Sequence, residues 1–427
     1  MRKLLLICCC LPFGLFAQLE RAREVTKTLC SPEFQGRGYV NGGDSIAAEF
    51  IAAEYKKAGC KFFKQGIFQP FSFPVNTFPD RMSLTIDGKD LVPGVDFVVD
   101  PGSRGGTVIE ISVVEITILE IMDGTLLRDK LKLLLPSGGA SGSEKAALIN
   151  LSSLGGDTLK KARQLSEELT HVLTVIEVVN TKFTWSVASE QTLHPYFQVQ
   201  QSALDVSKNS WKAAYSVDAV IRNHTARNVI AYAPAKKKSK KYLVYTAHYD
   251  HLGRMGQEAY FPGGNDNASG TAMLLELAHY FVQNPMDVNV VFMSFAGEEA
   301  GLIGSHYYVD HPLFPLKNIS FLTNIDIMGS GEEGVTVVNA TLFPKQFEVL
   351  TDINKKQEFL VKVGSRGPAA NSDHYFFTEA GVPAFFLYTM GPNKHYHDVY
   401  DTYEELSFAE FTDIYQLLID FGTCMPR

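Results

Sequence analysis

Tyr242-Leu-Val-Tyr-Thr-Ala-His248-Tyr-Asp250-His251-Leu-Gly253 decides the fold class. An apolar, aromatic-rich run of strand length ends there in polar residues and a glycine. His248 is therefore predicted to stand at the C-terminal end of a buried strand, the end at which open α/β sheets hold their ligands. Asp250, two residues on, is expected to accept one ring N–H of His248. That would fix the tautomer and leave the other nitrogen to donate a lone pair to a metal. A single histidine after a strand is more often structural, so the reading depends on partners elsewhere in the chain.

Working outward, each following apolar run ends in a group of the same kind. Pro262-Gly-Gly-Asn-Asp266-Asn-Ala-Ser-Gly270 leads into Thr271–Phe281, whose pattern predicts an amphipathic helix. Asp266, Asn267 or Ser269 could simply cap that helix. Val288–Phe295 reads as a buried strand running into Ala-Gly-Glu298-Glu299-Ala-Gly301. Two adjacent carboxylates repel unless a cation or proton lies between them, although a solvated glutamate pair at a turn is the bland alternative. Ile319–Gly329 carries Asp326 inside an apolar stretch, where burial is costly unless the carboxylate is paired or bound to metal. His395-Tyr-His397 follows the strand-like Ala384–Tyr388 and precedes a helix expected to start near Phe408. Carboxylate and imidazole groups at successive strand ends of one sheet converge on one face. The candidate metal ligands are His248, Asp266, Glu299, Asp326 and His397.

His248-Tyr-Asp250-His251-Leu-Gly, Asn265-Asp266-Asn-Ala-Ser-Gly, Gly297-Glu298-Glu299, Asn324-Ile-Asp326 and Tyr396-His397 resemble, in this order, the co-catalytic zinc aminopeptidases. That family also contains glutamate carboxypeptidases, glutaminyl cyclases and transferrin receptors that lack catalysis. The resemblance covers residues 226–427 and a shorter N-terminal piece. It implies two zinc ions, with cobalt or manganese served by the same ligand types. His248, Asp266 and Asp326 would hold one ion and Asp266, Glu299 and His397 the other, with Asp266 bridging. It further implies Glu298 as general base, Tyr396 as oxyanion donor, a cis peptide at Asp266–Asn267 and a pocket loop at Ser372-Asp373-His374. Glu298, Asp250 and Tyr396 are thus the candidate catalytic residues, while His251, His306 and His395 receive no role.

The fold implied is α/β: a three-layer mixed sheet flanked by helices, as in zinc exopeptidases, with an inserted β-rich, protease-associated-like domain. Residues 18–74 and 223–427 would form the peptidase domain, and 75–222, where strand-and-turn patterns such as Met82–Leu91 and Val108–Met122 take over, the insert. Residues 1–17 have a basic start, a short apolar core and a small residue before Gln18, which reads as a secretory signal too short to span a bilayer. The expected location is secreted or periplasmic, with lipid anchoring through Cys8, Cys9 or Cys10 disfavoured by Ile7. Cys30, Cys60 and Cys424 then remain, enough for one disulfide or none. The run Lys236–Lys241 lies between two predicted strands in a chain of net charge −8, so a solvated loop is expected rather than a nucleic-acid patch. The predicted activity is hydrolysis of N-terminal residues from peptides with a free N-terminus. A carboxypeptidase, a glutaminyl cyclase or a non-catalytic receptor-like protein are the alternatives, and the oligomeric state is left open.

Overall fold

The computed structural model describes residues 11–135 and 145–425, with the backbone alone for residues 11–17. Two eight-stranded sheets organise it. The first runs from edge to edge through Phe68–Thr77, Val220–Ala233, Asn289–Phe295, Tyr242–His248, Ile319–Asp326, Ala384–Thr389, Val335–Val338 and Val363–Ser365. The four strands from Asn289–Phe295 to Ala384–Thr389 are parallel, and antiparallel neighbours close them on either side. Parallel strands at the centre of such a sheet are buried on both faces, which is why they read as unbroken apolar runs.

Residue alternation along these strands separates two cores. Leu243, Tyr245 and Ala247 pack with the helices Leu11–Leu29, Gly43–Ala58, Gly270–Gln283 and Phe411–Cys424. Val244 points the other way, toward Tyr308 and Phe377 of the helices Ile303–Asp310 and His374–Glu379. The arrangement is the expected three layers. The last helix begins at Phe411 rather than near Phe408. Phe408 sits at φ 53° and its N–H donates to Gly329 O, so its left-handed backbone cannot open a right-handed helix.

The second sheet joins Lys89–Asp90, Ser83–Ile86, Ser210–Val217, Gly106–Glu115, Lys145–Asn150, Val175–Val179, Tyr196–Gln200 and Phe97–Val99. Here the structure differs from the β-rich expectation. Four of these strands are parallel, and the helices Ile118–Met122, Gly124–Leu134 and Gly156–Leu169 lie between them in sequence. The stretch Val108–Met122 is not one strand. It stops at Glu115, and a capping box starts a helix: Glu120 N–H donates to the Thr117 hydroxyl, while Thr117 N–H donates to the Glu120 carboxylate. Phe97, Leu148, Val175 and Phe197 form part of a core under this sheet, and that core also takes in Met255 and Phe261. Those two belong to the hairpin Gly253–Met255/Ala259–Phe261, which follows His248. The two sheets thus share a packed seam.

The basic run 236–241 connects Val220–Ala233 to Tyr242–His248. Cys30, Cys60 and Cys424 are free thiols. The start of the signal-like segment, residues 1–10, lies outside the described residues; the helix Leu11–Leu29 runs through Ala17 and Gln18.

Candidate metal centre

Four parallel strands deliver their C-terminal ends to one edge of the first sheet, and the five candidate ligands meet there. His248 Nε2 lies 3.2 Å from Asp266 Oδ1 and 3.1 Å from Asp326 Oδ1. His397 Nε2 lies 3.1 Å from Asp266 Oδ2 and 3.2 Å from Glu299 Oε2. Asp266 therefore turns one oxygen to each imidazole. Glu298 joins His248 and Asp326 in a group whose donor atoms all lie within 4.8 Å of one another. Apart from Glu298 and Glu299, which are partly covered, and the similarly half-buried His397, the cluster is buried.

The chemistry of this donor set suits divalent cations. His248 Nδ1 is 3.1 Å from Asp250 O, and His397 Nδ1 is 2.8 Å from Trp185 O. A carbonyl only accepts, so each Nδ1 carries its hydrogen and each neutral ring presents a lone pair at Nε2. Those lone pairs face carboxylate oxygens, and the buried Asp326 Oδ1 makes no hydrogen bond at all. Lone pairs turned on one another in a dry site repel unless positive charge comes between them. The protonation equilibria carry the same message. Burial alone would lower the His397 pKa, but Glu299 and Asp266 outweigh it and push it up to about 11. Burial likewise opposes, and Asp326 and Glu298 favour, a charged His248, whose pKa ends well above the usual imidazole value. Imidazole and carboxylate ligands in this number fit zinc or a similar divalent ion.

One expectation needs correction. The Asp250 carboxylate does not orient His248: Oδ1 is 3.8 Å from Nδ1, and the Asp250 backbone carbonyl takes that hydrogen instead. The tight turn after the strand brings the carbonyl back under the ring. The carboxylate turns the other way. It accepts the N–H groups of Glu298 and Glu299, both at 3.3 Å, and the Tyr39 hydroxyl at 2.5 Å. Asp250 thus holds the turn that presents the two glutamates.

Several supporting residues were not singled out by the sequence reading. His251 Nδ1 lies 2.7 Å from Glu299 Oε1, and burial lowers its pKa, so a neutral ring orients that carboxylate. Arg37 is fully buried and donates to the backbone carbonyls of Leu29, Tyr249, Pro262 and Gly263 at 2.7–2.9 Å. It ties the loop after His248 to the loop before Asp266. Asp401 accepts the N–H groups of Asn265 and Asp266 at 2.8 and 3.0 Å. The only sequence signal for His251 and Asp401 was their place inside or beside the ligand motifs; Arg37 lies far from all of them in sequence and carried none.

The Asp266–Asn267 peptide is cis, as the resemblance implies. Asn267 rather than Asp266 or Ser269 takes the capping role, its Oδ1 accepting Gly270 N–H at 3.0 Å. In the Ser372-Asp373-His374 loop, Ser372 Oγ donates to Asp326 Oδ2 at 3.0 Å and accepts from Asn324 Nδ2 at 2.7 Å, which fixes a ligand from behind. Tyr396 is 45% exposed and stacks on His397 with ring centroids 3.9 Å apart. Desolvation and the carboxylates Asp266 and Glu299 raise its pKa, so the phenol keeps its proton. Beside it a cavity of about 490 Å³ is lined by Asp266, Ile327, Ser330, Tyr388, Met390 and Tyr396, among others. His306 stacks on Phe376 away from the cluster, and His395 Nδ1 faces Asp398.

The profile described as peptidase family M28 matches residues 228–422. Among curated proteins the chain is similar to Aminopeptidase YwaD of Bacillus subtilis (strain 168), 32% identical over 196 residues, which are 43% of this chain and 41% of that protein. A probable leucine aminopeptidase of Arthroderma otae is 29% identical over 199 residues, 43% of this chain and 54% of that one. The chain thus spans roughly two fifths to one half of the length of these two relatives. Among solved structures, BSAP, a zinc aminopeptidase from Bacillus subtilis, superposes with a TM-score of 0.68 at 20% identity, over 94% of this chain and 93% of that one. The aminopeptidase from Aneurinibacillus sp. strain AM-1 does so with a TM-score of 0.60 at 20% identity, over 95% and 92%. At such identity the likeness is one of fold. Over residues 228–422 this chain is similar to peptidase family M28.

Proposed function

We propose that this chain is a secreted or periplasmic metallo-exopeptidase that removes N-terminal residues from peptides with a pair of zinc ions, cobalt or manganese serving as substitutes. The observation that carries the reading is the split of Asp266, one oxygen toward His248 and one toward His397. His248, Asp266 and Asp326 hold one ion; Asp266, Glu299 and His397 hold the other. Bound there, the ions supply Lewis acidity toward the scissile carbonyl and lower the pKa of the attacking water.

The protein's own groups do the rest. Glu298 takes a proton from the attacking water and returns it to the leaving amine. Burial and its carboxylate neighbours Glu299 and Asp373, against the opposing pull of His248, raise its pKa well above the usual value while the cluster holds no cation; bound cations would pull it back down and leave the carboxylate ionised to accept the proton. Asp250 fixes the Glu298–Glu299 backbone, and Tyr39 fixes Asp250. Tyr396, with its proton retained, donates a hydrogen bond to the carbonyl oxygen as negative charge develops there. The cavity beside Asp266, with Ile327, Tyr388 and Met390 in its wall, receives an apolar N-terminal side chain. Residues 75–222 are read as an inserted, protease-associated-like unit, flanked by a peptidase domain over 18–74 and 223–427.

The test is mass spectrometry of products from free and N-acetylated peptides incubated with the zinc-loaded protein. Single-residue loss from the N-terminus of the free peptides alone is expected. Loss from the C-terminus, or ring closure of an N-terminal glutamine, would overturn the aminopeptidase assignment.

A further inference from the structure

The two histidines of the cluster are oriented from different places. His248 gives its Nδ1 hydrogen to Asp250 O, two residues along the same strand end. His397 gives its hydrogen to Trp185 O, 212 residues away in sequence. Trp185 lies between the strands Val175–Val179 and Tyr196–Gln200 of the second sheet. The exchange runs both ways, because Trp185 N–H donates to His397 O at 2.9 Å.

Trp185 is itself immobilised. Its indole N–H donates to Val99 O at 2.7 Å, and its ring stacks on Phe261 with centroids 4.8 Å apart and planes 11° from parallel. Three residues earlier, Lys182 Nζ reaches the same loop. It donates to Lys394 O at 2.7 Å and Tyr396 O at 3.1 Å, and pairs with Asp398 Oδ2 at 3.3 Å. The loop needs such support, since His397 holds φ at 55°, a left-handed backbone that a residue with a Cβ adopts only when its surroundings impose it.

We propose that Lys182 and Trp185 are positioning residues for one of the two metal positions, so that the second sheet completes the half of the centre that contains His397. This rests on the paired-ion reading of the site. Neither residue belongs to the ligand set; both act through the orientation of the His397 ring and the backbone on either side of it. A hydrogen-bond partner of a metal-ligating histidine commonly controls metal affinity by about 10–100-fold. If the contacts only glued the two sheets together, their loss would lower overall stability and leave the two positions equally affected.

The experiment is calorimetric titration of the metal-stripped full chain with zinc, for the wild type, His397→Ala, Trp185→Phe and Lys182→Met. His397→Ala marks which position is which. Trp185→Phe keeps an aromatic ring but loses the hydrogen bond to Val99, and Lys182→Met keeps the stem but loses all three polar contacts. Both are expected to weaken the position that His397→Ala abolishes by up to about tenfold, the low end for the partner of a ligating histidine since the Trp185 carbonyl itself remains, and to leave the other unchanged, with Lys182→Arg restoring most of the affinity. Adding either change to His397→Ala should then cost nothing further. Folded variants that bind both ions as tightly as the wild type, or that weaken both alike, would overturn the inference. Should Trp185→Phe fail to fold, Lys182→Met decides alone, since that side chain is half exposed. A wild type that binds fewer than two ions would instead bring down the paired-ion reading beneath it.

Discussion

The His248 half and the His397 half of the cluster have the same chemistry, an imidazole facing two carboxylate oxygens at 3.1–3.2 Å, but different architecture. The first is assembled from adjacent strand ends of one sheet and buttressed locally: Asp250 O behind His248, Ser372 behind Asp326. The second is gathered from a turn, a loop and a strap from the other sheet. A half built on strands is stiff because its neighbours are the core; a half built on loops is only as well placed as the contacts that hold the loop. The comparison separates what the fold guarantees from what the second sheet adds.

The largest effect should come from the residue the halves share. Asp266→Ala removes an oxygen from each side, so the protein is expected to lose both ions and all measurable hydrolysis. Elemental analysis after dialysis would check this, and a variant that retained two ions would remove Asp266 from the bridge. Glu298→Gln touches neither half as a ligand. Metal content should stay at the wild-type value while kcat falls by about 10²–10⁴-fold, the usual worth of a general acid–base group. Activity that survived would mean another group moves the proton.

A smaller effect is expected where one support serves both glutamates. Asp250→Asn can still accept hydrogen bonds, yet it loses the charge that draws in the Glu298 and Glu299 amides and the Tyr39 hydroxyl. A fall of about 10–100-fold in kcat/KM follows from the usual weight of such outer contacts. Tyr39→Phe should give a milder version, about tenfold or less, because Asp250 keeps both amide donors and loses one of its three hydrogen bonds. If Tyr39→Phe hurt more than Asp250→Asn, the order of dependence drawn here would be reversed.

The sequence made His248, Asp326 and the Glu298–Glu299 pair readable because each follows an apolar run whose length and composition announce a buried strand. His248, Asp326 and the Glu298–Glu299 pair could be placed on one sheet edge by that rule alone. Their supports were harder. Asp250 was expected to face His248 on proximity in sequence, but side-chain direction after a strand end depends on the turn, and the carboxylate points to the glutamates. Trp185 carried no readable signal for its part in the site, because what it offers His397 is a backbone carbonyl and amide, which any residue has. The helix Ile118–Met122 was missed because Val, Ile and Leu dominate residues 108–122 and mask the Thr117–Glu120 capping box at the switch from strand to helix.

The mildest prediction concerns the sheet that bears the strap. Asp100 follows Val99, whose carbonyl anchors the Trp185 indole, and its N–H donates to Tyr196 O. Burial, with smaller contributions from Glu177 and Glu167 and against the Gly102 N–H, raises its pKa from 3.8 to about 6. The folded state therefore prefers the neutral acid more than the unfolded chain does. The group's contribution to stability is complete below about pH 4 and is lost as pH rises through about 6. Asp100→Asn keeps an oxygen for Gly102 N–H and has no charge to bury. Its melting temperature should exceed that of the wild type at pH 7.5, and the gap should close as pH is lowered to 5, as scanning calorimetry at the two values would measure. An equal gap at both would show that Asp100 is well solvated in its ionised form. A gap that closes would show that ionising Asp100 costs the fold stability at a position next to the carbonyl that anchors the Trp185 indole.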